Sequence, residues 1–148
     1  MKKFSFRLEQ LRRWREAERD KEEARLQALL AGLKQLDRAR ADLESAVQRA
    51  ELSVRPSPQA PLAPIQELQA LDSYRRYVRR EQLRLSGLRA QLEVSVEAQR
   101  RVLVEVERKV EVLEHLREER LAMWRRELDK EQEDLVAELV VARWARAC

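Results

Sequence analysis

Apolar residues recur along this chain in two long runs of alternating three- and four-residue steps, with one gap between them. The first run reads Leu26, Leu29, Leu33, Leu36, Arg40, Leu43, Val47 and Ala50, seven of eight apolar. The second reads Leu85, Leu88, Leu92, Val96, Gln99, Leu103, Val106, Val110 and Leu113, eight of nine apolar. Two successive four-residue steps at Leu88–Leu92–Val96 resemble a stutter. A stripe of this period and width runs down one face of an α-helix and suits a single partner helix. The period is wrong for strands, and Val is almost the only β-branched residue, so no strand is predicted.

The gap holds VRPSPQAPLAPI, residues 54–65, which contains all four prolines: Pro56, Pro58, Pro61 and Pro64. Proline ends a helix and pushes its predecessor toward extended geometry. The pattern predicts a helix over 4–53, a Pro-rich turn over 54–64 and a helix over 65–146. Two seams joined by so short a turn fold back on each other. The expected fold is all-α, an antiparallel coiled-coil hairpin forming one domain over residues 1–148. At 1.5 Å per residue the helices measure ~75 Å and ~120 Å.

These lengths do not match. If Ala50 faces the region of Leu68 to Leu71, Phe4 faces Leu116, and about 30 residues, ~45 Å of helix, extend beyond any partner in the chain. That overhang carries Leu121, Trp124, Leu128, Leu135 and Leu139 along one stripe. A large apolar side chain gains about 1.5–3 kcal/mol on burial, so a stripe left in water marks a binding surface. The residues expected to form a contact surface at this end are Phe4, Leu8, Leu11 and Trp14 with Leu121, Trp124 and Leu128. Trp14, Trp124 and Trp144 all fall at the end away from the turn. Two readings stay open for them: interface anchors, or a staple in which Trp14 and Trp124 pin the termini together.

Composition agrees with long helices. Charged residues make up 39% of the chain and aromatics 5%, and the only glycines are Gly32 and Gly87. Leu, Ala, Glu, Arg and Gln dominate, and these are strong helix formers. A net charge of +4 is compatible with an acidic partner, an anionic lipid or a nucleic acid, and selects none of them. The single cysteine, Cys148, rules out an internal disulfide and fits a reducing compartment. MKKFSFRLEQ lacks the apolar core of a signal peptide, and no run approaches the roughly 20 apolar residues of a membrane span. A cytoplasmic location is expected.

Catalytic chemistry finds little foothold. His115 stands alone in LEHLREER, the two glycines cannot form a phosphate loop, and no cluster has metal-ligand spacing. The expectation is a protein that is not an enzyme and needs neither cofactor nor metal. Residues 74–89, YRRYVRREQLRLSGLR, carry six arginines against one glutamate, with Tyr74 and Tyr77 interleaved. Nucleic-acid contact could use such a stretch. The preferred reading is a basic helix face whose arginine stems cover the seam, with no nucleic-acid partner and a tyrosine pair able to dock protein.

Three segments in order resemble the flagellar FliJ family. FSFRLEQLRRWREAERDKEEARL is similar to its opening aromatic-x-aromatic-Arg-Leu-x-x-Leu segment and the charged helix that follows. LDSYRRYVRREQLRLSGL resembles its paired-aromatic stretch after the turn, with Glu81 where some members carry a further apolar residue. VEVLEHLREERLAMWRRELDKEQEDL resembles its Leu-x-x-Leu-Arg-Glu-x-Arg stretch and acidic run. The likeness covers essentially the whole chain, except that the usual family turn is polar.

The resemblance implies a hairpin like the two terminal helices of the gamma subunit of rotary ATP synthases. It also implies a role in flagellar type III export, as a stalk in the pore of a hexameric export ATPase that promotes ring assembly and handles export chaperones. Such a stalk bridges the ATPase to the export-gate protein FlhA, at the cytoplasmic face of the inner membrane, and associates with the membrane only through its partners. Tyr74 and Tyr77 match the paired aromatics, which implies contact with the export gate. The apolar end at Phe4 to Trp14 and Leu121 to Leu128 would face the ATPase ring. The injectisome counterpart and a homo-oligomeric structural coiled coil are the alternatives.

Overall fold

The computed structural model describes residues 2–56, 58–59 and 64–148. Its secondary structure is α1 (Glu9–Ser53) and α2 (Ile65–Ala147), packed as an antiparallel helical hairpin with the C-terminal helix the longer. Among the described residues there is no strand. The cluster Pro56, Pro58 and Pro64 lies between the helices; Pro61 is outside the described residues.

Local chemistry sets the helix ends at the turn. α1 closes with Val54 N–H on the Glu51 carbonyl at 3.3 Å and Arg55 N–H on the Leu52 carbonyl at 3.4 Å. These tighter bonds satisfy carbonyls that a helix end otherwise strands. The Ser53 hydroxyl donates to the Ala50 carbonyl at 2.7 Å. α2 opens on Pro64, whose carbonyl accepts from Glu67 N–H at 3.0 Å and Leu68 N–H at 3.2 Å. Proline's fixed φ suits a helix entrance, where its missing N–H costs nothing.

Tertiary contacts divide into two units. In the unit Glu22–Val102, the buried residues are Leu26, Leu71, Val78, Leu85 and Val96. Leu71 and Val78 extend the seam toward the turn by the same seven-residue interval that leads to Leu85. Leu88, expected in the seam, is 41% exposed. Two inter-helix ion pairs record the register, Glu51–Arg75 at 2.7 Å and Asp37–Arg89 at 2.9 Å. Each helix advances fourteen residues, two heptads, from one pair to the next. Exposed pairs of this kind contribute little energy; the apolar seam holds the helices together. Gly32 allows a close approach, because a Cβ there would lie 3.1 Å from Leu92 Cδ2.

In the unit formed by Met1–Lys21 and Leu103–Cys148, the core is Val106, Val110 and Leu113, with Val110 only 1% exposed. The first helix begins at Glu9, not at Phe4 as the pattern predicts. Residues 2–6 are non-helical and lie along α2 as a strap. The strap's contacts with α2 outweigh its helix propensity, which two phenylalanines already lower. Phe4 packs on Trp124 and under the Arg117 guanidinium, and Leu116 lines the same cavity.

Candidate partner-binding surfaces

The terminal surface is built on Trp124. Its indole N–H donates to the Lys2 carbonyl at 3.2 Å, and its ring packs on Phe4 with centroids 5.9 Å apart and planes tilted by 55°. The Arg117 guanidinium lies over the other aromatic partner, 5.9 Å from the Phe4 centroid. Arg117 also faces Glu9 at 3.6 Å, too long for a hydrogen bond, and its buried Nε has no hydrogen-bond partner among the described residues.

Glu9 anchors the start of α1. It pairs with Arg12 at 2.5 Å and Arg13 at 3.4 Å. The Arg12 hydrogen bond holds its carboxyl below the ordinary carboxylate value, with further help from the charges of Arg12, Arg117 and Arg13 against a counteracting burial. A carboxylate in the first turn also sits well on the helix dipole.

Of the residues expected at this end, Phe4, Leu121, Trp124 and Leu128 are half-buried, while Leu8, Leu11 and Trp14 are exposed. The strap covers part of what the pattern leaves in the overhang, and a cavity of about 790 Å³ lies between strap and helix. The tryptophan staple takes an unexpected form. Trp124 pairs with Phe4, whereas Trp14 is 57% exposed and carries Arg15 at 4.8 Å over its ring.

The unpartnered stretch is shorter and lies farther along than expected. Every residue from Asp129 to Cys148 is exposed, including Leu135 at 58%, Leu139 at 69% and Trp144 at 74%. Val136, Val140 and Val141 are exposed beside them. Leu135, Leu139 and Trp144 are legible in the sequence as apolar positions. That they outrank Trp124 as free surface depends on the strap, which sets Phe4 against its ring.

Tyr74 and Tyr77 do form one patch, with rings stacked at 6.4 Å and an interplanar angle of 27°. Tyr74 is half-buried and Tyr77 is 49% exposed. Around them, Arg75 pairs with Glu51, Arg76 with Asp72, and Arg84 with Glu81. The hydrogen bond from Glu81 holds the Arg84 guanidinium above its ordinary pKa, and Arg89 is raised in the same way by Asp37. Of the six arginines in this stretch, Arg79 and Arg80 have no ion pair among the described residues.

His115 is exposed and lies 3.2 Å from Glu119. Among the described residues, no group of three or more His, Cys, Asp or Glu could hold a metal ion, and no helix is long and apolar enough to cross a membrane. Comparison with protein-family models, curated proteins and solved structures finds no match to this chain.

Proposed function

We propose that this chain is a non-catalytic stalk of the flagellar type III export ATPase, inserting its terminal end into the hexameric ring and reaching the export-gate protein FlhA and export chaperones through other surfaces. The observation that carries this reading is the C-terminal stretch of α2, which runs on from Asp129 with Leu135, Leu139 and Trp144 open to solvent. The ordered likeness of three segments to the FliJ family supports it. So does the two-helix architecture with a longer second helix.

The physical role is that of a ligand. A rod end that binds the assembled ring more tightly than separate subunits shifts assembly by mass action. The binding energy comes from burying the exposed leucines and tryptophan, about 1.5–3 kcal/mol for each large side chain before ordering costs. Tyr74 and Tyr77 supply a separate docking patch for the gate protein, so one chain holds two partners.

The test is stimulation of the cognate export ATPase. Leu139→Ser combined with Trp144→Ala is expected to reduce stimulation at least about tenfold in effective concentration, a loss of more than about 1.4 kcal/mol of binding, with helicity unchanged. Tyr77→Ala is expected to spare stimulation and weaken capture of the gate protein. Full stimulation by the double variant overturns the assignment of the tip.

A further inference from the structure

Two surfaces of the terminal unit carry unpaired charge of opposite sign beside exposed apolar groups. Along the tip, Asp129, Glu131, Glu133, Asp134 and Glu138 outnumber the one base, Lys130; all six are exposed and have no ion pair among the described residues, and Leu135 and Leu139 are exposed between them. On the strap side, Lys2, Lys3, Arg7 and Arg120 are exposed, and they too have no ion pair among the described residues. They line the same cavity as Met123 and Trp124, with one acid, Glu127, among them. α2 runs unbroken to Ala147, so the acidic tip cannot turn back onto its own strap.

We propose that two copies of this chain associate antiparallel through their terminal ends, the acidic tip of one α2 lying on the basic, aromatic strap surface of the other. A twofold axis makes this contact twice, since each copy offers one tip and one strap. The pairing closes at two copies. Leu135 and Leu139 of each tip gain apolar cover from Met123 and the strap of the other copy, while the acidic residues face Lys2, Lys3, Arg7 and Arg120. Complementary charge fixes which faces meet and in which direction. The dimer covers the tip, so it competes with any other partner of that end. This inference does not rest on the export reading.

Sedimentation equilibrium of the full chain tests it, with circular dichroism confirming that each variant keeps its helicity. At about 50 mM salt the chain is expected to sediment as a monomer–dimer equilibrium in the micromolar range, with dissociation rising at least about tenfold by 0.5 M salt as the charges are screened. Tip reversal (Glu131→Lys with Asp134→Lys) and strap reversal (Lys3→Glu with Arg120→Glu) are each expected to abolish the homodimer. Mixing the two variants is expected to restore a heterodimer. A chain that stays monomeric at about 0.1 mM in low salt overturns the proposal and leaves the tip to a different protein. So does a dimer indifferent to both reversals, or a mixture that fails to pair.

Discussion

The Gln99 side-chain amide donates to both the backbone carbonyl of Glu22, at 3.0 Å, and the Glu22 carboxylate, at 2.5 Å. This is a polar layer in a seam whose other non-apolar position is Arg40. Gln99 is the one non-apolar position in the second run of the sequence, and Glu22 lies one four-residue step before Leu26 in the first. A single polar layer of this kind lowers stability and fixes register.

Replacing Gln99 with Leu is therefore expected to raise unfolding stability by roughly 0.5–1 kcal/mol, since Glu22 keeps its ion pair with Arg25 at 2.8 Å. The gain comes with looser alignment around the layer. Chemical denaturation measures the first effect, and faster amide exchange near residues 22 and 99 reports the second. A loss of stability would mean that the hydrogen bonds outweigh the transfer of the leucine.

The two glycines are expected to respond differently to alanine. A Cβ at Gly87 meets nothing within 4 Å, and neither glycine has a positive φ. Gly87→Ala should stabilise the chain by roughly 0.5–1 kcal/mol through helix propensity and a less flexible unfolded state. Gly32→Ala should gain less or lose, because Leu92 must shift to clear the 3.1 Å contact. Thermal melts of the two variants side by side decide this.

Phe4→Ala and Trp124→Ala should each destabilise the terminal unit by about 1–3 kcal/mol, below the range for a fully buried aromatic because both rings are half-buried. Their effects should be non-additive, since either change removes the same ring contact. A double-mutant cycle read by unfolding checks this. Strict additivity would show that the strap and Trp124 act independently.

Acid should loosen the start of α1. The Glu9 carboxyl is held below its ordinary value of 4.5, chiefly by its hydrogen bond from Arg12, so its contribution is fully present above that value. It is lost as pH falls through the depressed one. Glu9→Gln is expected to be less stable than the parent at neutral pH and to show a shallower decline in melting temperature below about pH 4.5. Parallel declines in the two proteins would dissociate Glu9 from the acid response.

Where the partner helix ends was less legible than the helices themselves. Leu85, Val96, Val106, Val110 and Leu113 could be read as core from their spacing, and all five are buried. Leu71 and Val78 carried the same signal at exact sevens before Leu85, in a stretch whose arginines and tyrosines draw the eye to its surface instead. The terminal surface was placed too near Leu121 and Trp124 because Phe4 was set opposite Leu116, whereas the Glu9–Arg117 contact puts the register about six residues farther along α2. Tyr74 and Tyr77 could be placed on one face by their spacing. Of the arginine pairs around them, Arg76–Asp72 and Arg84–Glu81 are local to α2, and only Arg75 required a neighbour from α1, Glu51.

By itself, the sequence determined two helices, their boundaries at the prolines and the stripe by which they meet. Backbone propensity, proline's missing N–H and the heptad period are local properties, and local properties are written residue by residue. Only the tertiary structure decided that the first residues leave the helix to lie against Trp124 and that the fully exposed stretch of α2 begins at Asp129. Those outcomes hinge on contacts between residues more than a hundred positions apart, where the burial of one aromatic ring outweighs the helical preference of the segment that carries it.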